Sequence, residues 1–115
     1  MFDHEMLEVY RVAIELVGVA DDIGEQLPRG RGKLADQLSR AVISVPLNIA
    51  EGAGLWASGE KQRAYRIARG SAMECAAIMD VCMILKLSSP EKCHQCKELL
   101  ERVVSMLSKL IQTLD

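Results

Sequence analysis

Apolar residues recur every three or four positions along most of the chain, which is the spacing of one face of an α-helix. The first such segment runs from about Asp3, a candidate N-cap, to about Gln26. The turn residues at 27–30 (LPRG) end it. The second segment begins near Gly32 and reaches about Gly52, where a glycine-rich break follows. These two segments predict the first two helices.

The remaining chain predicts two more helices. The third begins after Ser58, a candidate N-cap, and lasts to about Leu87. Residues 88–90 (SSP) supply a capped start for the fourth helix, whose apolar face continues to Leu114. No segment shows the alternation that is typical of a strand. The sequence therefore predicts an all-α protein with a single domain over residues 1–115, an antiparallel up-down-up-down four-helix bundle.

The second and third helices are more apolar than a bundle helix needs to be. Seven of the ten residues from Ala41 to Ala50 are aliphatic, and every residue from Cys75 to Leu85 except Asp80 is apolar. A helix that is apolar around its circumference is buried on all sides. Either these helices lie at the centre of the monomer, or they pack against another subunit. We favour a homo-oligomer, because a central helix is geometrically awkward in a four-helix bundle.

Polar residues interrupt the second helix at regular intervals. Arg40, Ser44, Asn48 and Glu51 are separated by four, four and three positions, which places them on one stripe. If the next helix runs antiparallel to this one, the two stripes face each other and form what we call the polar seam. The predicted pairs across the seam are Arg40 with Glu74, Ser44 with Gly70, Asn48 with Arg66, and Glu51 with Arg63. Charges at a helix contact need such partners, because an unpaired buried charge is costly.

Charge is distributed unevenly along the chain. Residues 1–28 carry a net charge of −6 and residues 29–69 a net charge of +5. The basic segment could contact phosphates, and its candidate nucleic-acid contacts are Arg29, Arg31, Lys33, Arg63, Arg66 and Arg69. Alternatively, the acidic first helix packs beside the basic segment and neutralises it. The overall pI of 5.7 favours neutralisation, since nucleic-acid-binding domains usually have a pI above about 9.

Other chemistries are disfavoured. Cys93 and Cys96 form a CxxC motif that could bind zinc together with Cys75 and Cys82. The latter two lie in an apolar helix, however, where a reduced cysteine acts as a small hydrophobic residue. The GRGK stretch at residues 30–33 lacks the spacing of a phosphate-binding loop. We therefore predict no catalytic residue, no metal and no cofactor.

Two stretches resemble a known family. Residues 37–54 (QLSRAVISVPLNIAEGAG) and 65–75 (YRIARGSAMEC) are similar to the four-helix-bundle family first known from open reading frames inside 23S rRNA intervening sequences. The resemblance implies a bundle that assembles into a ring, typically a pentamer, without an established catalytic activity. A related group is the accessory protein of diversity-generating retroelements, in which a basic ring binds nucleic acid and reverse transcriptase.

These observations predict a non-enzymatic, homo-oligomeric scaffold or interaction protein. The alternative is an accessory module that binds RNA or DNA through a basic face made by the start of the second helix and by the third. The acidic N-terminus lacks the features of a signal peptide, and no apolar run is long enough to cross a bilayer. We therefore expect a cytoplasmic protein whose partners are other copies of itself and a nucleic acid or a protein, but not a membrane.

Overall fold

The computed structural model of the protein describes residues 1–114 and contains only helices in this part of the chain. A short 3₁₀ helix, Asp3–Met6, precedes four α-helices. The α-helices are α1 (Glu8–Glu25), α2 (Gly32–Gly54), α3 (Ser58–Ile84) and α4 (Pro90–Gln112). The predicted all-α class with four long helices is confirmed over these residues.

The first helix begins later than predicted. Leu7 adopts an extended conformation and separates the 3₁₀ helix from α1. Asp3 lies inside the 3₁₀ helix, whose N-cap is Phe2, so the predicted capping role of Asp3 is wrong. The backbone N–H of Phe2 donates to the Glu5 carboxylate over 3.2 Å. This bond caps the start of the 3₁₀ helix.

The connection between α3 and α4 explains why α3 ends at Ile84 rather than near Leu87. Lys86 has a positive φ of 56°, in the left-handed region. The N–H of Leu87 then bonds to the carbonyl of Cys82 over 2.8 Å, which closes the helix end as in a Schellman motif. The predicted capped start of α4 is confirmed, because the Ser89 side chain accepts a hydrogen bond from the Lys92 N–H.

Each helix packs on its neighbours in chain order, and α4 also packs on α1. Contacts across α3 and α4 join Arg69 to Ser108 and Asp80 to Lys97. Those across α1 and α4 include ion pairs of Glu8 with Arg102 and of Asp22 with Lys92. In both interfaces the residue numbers rise along one helix as they fall along the other. The four helices thus occupy the corners of a particle about 44 Å long.

Aliphatic and sulfur-containing side chains fill the core, and no polar or charged residue among residues 1–114 is buried. All four cysteines are buried and reduced, two on α3 and two on α4. Burial, with a smaller contribution from neighbouring thiols, raises the pKa of both Cys75 and Cys96 to about 12. These thiols therefore stay protonated near neutral pH and pack as small hydrophobic groups, as predicted for Cys75 and Cys82.

Residues 1–114 contain no group of three or more His, Cys, Asp or Glu side chains that could hold a metal ion. None of their helices combines the length and hydrophobicity that a membrane span requires.

Candidate functional site

The eight residues of the predicted polar seam lie along the outer side of the α2–α3 pair. Ser44 and Asn48 are half-buried. The other six residues are exposed: Arg40, Glu51, Arg63, Arg66, Gly70 and Glu74. The seam is therefore a surface feature of the subunit.

Hydrogen bonds across the seam join partners other than the predicted ones. The Ser71 hydroxyl donates to the Ser44 hydroxyl over 2.8 Å, and the Gln37 side-chain amide donates to the Glu74 carboxylate over 3.3 Å. The Asn48 amide donates within α2, to the Ser44 carbonyl over 2.9 Å and to its hydroxyl over 3.0 Å. Short side chains of Ser and Asn commonly bond to the preceding turn of their own helix. Asn48 therefore does not need the Arg66 partner that the sequence suggested.

The predicted charge pairs lie on the same side of the subunit without forming ion pairs. Arg40 and Glu74 line one open concavity of about 570 Å³, and Glu51 and Arg63 line a smaller one of about 120 Å³. The three ion pairs of residues 1–114 all involve α4 instead. Exposed charges gain little from pairing in water, so their separation costs the subunit little.

Of the two glycines, Gly52 rather than Gly70 packs tightly between α2 and α3. A Cβ atom on Gly52 would lie 2.6 Å from Cε1 of the buried Tyr65 ring. A Cβ atom on Gly70 would meet nothing within 4 Å, so Gly70 does not serve the close contact with Ser44 that the sequence suggested. The sequence offered no separate signal for this contact, because Gly52 was interpreted only as the end of the helix.

Lys61 is a second residue whose role the sequence did not reveal. Its ammonium group donates to the carbonyls of Gly52 and Ala53 over 2.9 and 3.1 Å. The last carbonyls of a helix lack partners within the helix and carry a partial negative charge. Lys61 therefore caps α2 from the first turn of α3 and stabilises the turn between them.

The six candidate nucleic-acid contacts do not form one cluster. Arg29, Arg31 and Lys33 are exposed at the start of α2. Arg63 and Arg66 are exposed on the first half of α3, near the other end of the bundle. Arg69 is half-buried and donates to the Ser108 hydroxyl over 2.9 Å. Only five of the six side chains are therefore available to a ligand.

The acidic first helix does not neutralise the basic segment through ion pairs. The two ion pairs that α1 forms in residues 1–114 are directed to Lys92 and Arg102 of α4. The expected packing of α1 beside α2 is confirmed. No ion pair within residues 1–114 joins these two helices.

The outer side of α3 carries a continuous apolar stripe. Met73, Val81 and Ile84 are 51%, 39% and 78% exposed, and Ala77 is exposed between them. Spacings of four, four and three residues place these side chains on one face, which continues from Gly70. We call these five residues the α3 ridge. The fold buries only the opposite side of α3. Residues 75–85 are nevertheless apolar around the whole circumference of the helix, except at Asp80.

Together these features define a four-helix, all-α protein whose third helix has a strongly apolar segment, residues 75–85, that is covered on one side only. The profile of the family described as 23S rRNA-intervening sequence protein matches residues 5–109. The chain therefore belongs to this family, which confirms the resemblance seen in its second and third helices. No curated protein matches the chain.

Proposed function

We propose that this chain is a non-enzymatic, homo-oligomeric scaffold or interaction protein of the cytoplasm. In this proposal an antiparallel up-down-up-down bundle assembles into a ring, with five subunits as the family resemblance implies. The opposed numbering of contacts between neighbouring helices supports the antiparallel order. The observation that carries the proposed assembly is the exposed α3 ridge.

The continuity of the α3 ridge supports an interface. Single exposed apolar residues are common on protein surfaces and need no explanation. Contiguous apolar patches more often mark sites of protein interaction. The ridge extends over four turns of one helix, from Gly70 to Ile84, which is long enough to pack against a helix of another subunit.

Gly70 adds a second argument. A glycine in a helix interior costs roughly 0.5–1 kcal/mol relative to alanine. Since a Cβ atom at Gly70 would meet nothing within 4 Å, the packing of the subunit does not require glycine there. A neighbouring subunit that approaches the backbone closely at this position would explain it.

A pair of variants tests the assembly. Val81→Asp introduces a charge into the α3 ridge, whereas the control Ser105→Asp introduces one at an exposed site on α4. By light scattering after size exclusion, we expect wild type and Ser105→Asp at a multiple of 12.7 kDa, and Val81→Asp at 12.7 kDa with unchanged helical circular dichroism. A wild-type protein that remains at 12.7 kDa up to high concentration would overturn the proposal.

Nucleic-acid binding is a second candidate function. It is supported by Arg29, Arg31, Lys33, Arg63 and Arg66, which are exposed and form no ion pair within residues 1–114. Phosphate contacts predict binding that weakens steeply with salt. Labelled RNA and DNA should therefore bind at low ionic strength, and more weakly to a variant in which the first three residues are glutamine. A lack of binding by either nucleic acid at low salt would remove this candidate.

A further inference from the structure

We infer that the α3 ridge of one copy docks into the groove between α1 and α2 of a second copy. This inference rests on the proposed homo-oligomer and adds which two faces meet.

The α1–α2 groove is acidic at one end. Asp21, Glu25 and Asp36 line a concavity of about 280 Å³ there, and no cationic residue lines it. None of these three carboxylates forms an ion pair within residues 1–114. Asp36 also lines the neighbouring concavity that contains Lys33 and Arg40, whereas Asp21 and Glu25 line the acidic one alone. A complementary surface would therefore bring a cation to this end of the groove.

Beyond this concavity, exposed apolar residues continue the same stripes of α1 and α2. Ile14 precedes Asp21 by seven residues, and Ile43 follows Asp36 by seven, so both continue the helix stripes that line the acidic end. Leu47 lies one further turn along α2. Ile14, Ile43 and Leu47 are 48%, 43% and 63% exposed. A complementary surface would therefore bring apolar side chains to this half of the groove.

The α3 ridge has apolar residues and a cation in the order that would match the apolar residues and carboxylates of the groove. Its apolar residues are followed, two positions after Ile84, by the exposed Lys86. Lys86 forms no ion pair within residues 1–114. The ridge thus presents an apolar stretch and then a cation, whereas the groove presents an apolar stretch and then three carboxylates.

The distances along the two surfaces also agree. Ala77, at the middle of the ridge, is nine residues from Lys86. The midpoint of Ile43 and Leu47 is nine residues from Asp36. At a rise of about 1.5 Å per residue, the separation along α2 is about 13 Å. The helical part of the other, from Ala77 to Ile84, is about 10 Å, and the turn and long side chain of Lys86 extend beyond it. When the apolar halves are in contact, Lys86 of one copy therefore reaches the carboxylates of the other.

This docking has a defined symmetry. Lys86 follows α3 and Asp36 is near the start of α2, and these two positions lie at the same end of the bundle. The two copies consequently point in the same direction, as subunits around a rotation axis can. Because the ridge and the groove are different surfaces, the contact is heterologous, and repeating it generates a closed ring if the rotation closes.

Two single-face variants test the inference. Val81→Asp damages the ridge and Leu47→Asp damages the groove. We expect each variant alone at 12.7 kDa and their equimolar mixture at twice that mass, because each retains one intact face. Wild type at 12.7 kDa would contradict the proposed assembly itself. An oligomeric wild type whose Leu47→Asp variant also remains oligomeric would overturn only the choice of the groove.

A charge exchange tests the same contact without damaging its apolar part. Lys86→Glu should raise the dissociation constant of the assembly about tenfold, and adding Asp36→Lys in the same chain should restore it. The matched control Arg66→Glu changes a cation beyond the other end of the ridge and should leave assembly unchanged. An equal effect of Lys86→Glu and Arg66→Glu, or no restoration by Asp36→Lys, would overturn the inferred orientation.

Discussion

The inner and outer sides of α3 carry side chains of similar hydrophobicity in different surroundings. On the inner side Cys75, Met79 and Cys82 are fully buried against the rest of the bundle. On the outer side Met73 and Ile84 are largely exposed. Fold stability accounts for the first set but not for the second. We propose that the outer residues make a contact outside the folded chain.

Met79 on the inner side of α3 and Met73 on its outer side offer the largest expected difference in stability. Met79→Ala should reduce the free energy of unfolding by about 2–5 kcal/mol, because it leaves a cavity in the core. Met73→Ala should change the stability of the folded subunit by less than about 0.5 kcal/mol. Urea unfolding, carried out on the Val81→Asp background to separate folding from assembly, measures both. Equal losses for the two variants would contradict the division of α3 into two sides.

The glycines at the end of α2 allow a similar comparison. Gly52→Ala forces a Cβ atom to within 2.6 Å of the Tyr65 ring, and we expect a loss of about 1–3 kcal/mol in the free energy of unfolding. Gly54→Ala meets nothing within 4 Å and serves as the control. Thermal and urea unfolding should show the loss for Gly52→Ala only. If both variants are as stable as wild type, the close contact of α2 and α3 at Gly52 does not exist.

The buried thiols of the inner side predict an alkaline loss of stability. Burial raises the pKa of Cys75 from 9.0 to about 12, so above pH 9 the unfolded chain releases a proton that the folded chain keeps. The unfolded state then binds fewer protons, and stability falls as the pH rises through this window. Below pH 9 the thiol contributes no pH dependence.

Urea unfolding between pH 8 and pH 10.5 measures this effect. The loss over that range should be smaller in Cys75→Ala than in wild type, although the variant starts from a lower stability. The hydrogen bond to Asp80 raises the pKa of Lys97, and it does so equally in both proteins. Identical pH profiles would show that the Cys75 thiol does not keep its proton through burial.

Gly70→Ala gives the smallest expected change in folding stability. Its effects on folding stability and on assembly should have opposite signs. Alanine should stabilise an isolated α3 by roughly 0.5–1 kcal/mol, since nothing in the subunit would contact the new methyl group. If another copy approaches closely there, the same methyl group should weaken assembly. Unfolding on the Val81→Asp background, together with the oligomer mass of the single variant, separates the two effects. Unweakened assembly would argue that Gly70 lies outside the interface.

The helices could be predicted from the sequence more reliably than the contacts between them. Periodicity and turn residues located four helices to within a few residues, and the Ser89 cap was visible from its position before Pro90. The end of α3 was missed because a lysine, rather than the usual glycine, adopts the left-handed conformation there. The start of α1 was missed because an apolar residue, Leu7, breaks the helix.

The partners across the α2–α3 pair could not be predicted because a one-residue error rotates a helical side chain by about 100°. The approximate register was right, since Ser44 meets Ser71, the neighbour of the predicted Gly70. Long side chains added a further uncertainty. Lys61 was counted only as part of a basic segment, yet it reaches back to the end of α2. Such contacts depend on the three-dimensional path of the loop rather than on spacing along the chain.

The central claim, that another copy of the chain covers the outer side of α3, can be tested on the natural methionines. Peroxide converts accessible methionines to sulfoxides, which peptide mass spectrometry quantifies one by one. Met79 serves as the buried reference and Met73 as the probe. If another copy covers this side, Met73 is oxidised several-fold more slowly in wild type than in Val81→Asp. Equally rapid oxidation of Met73 in both proteins would contradict it.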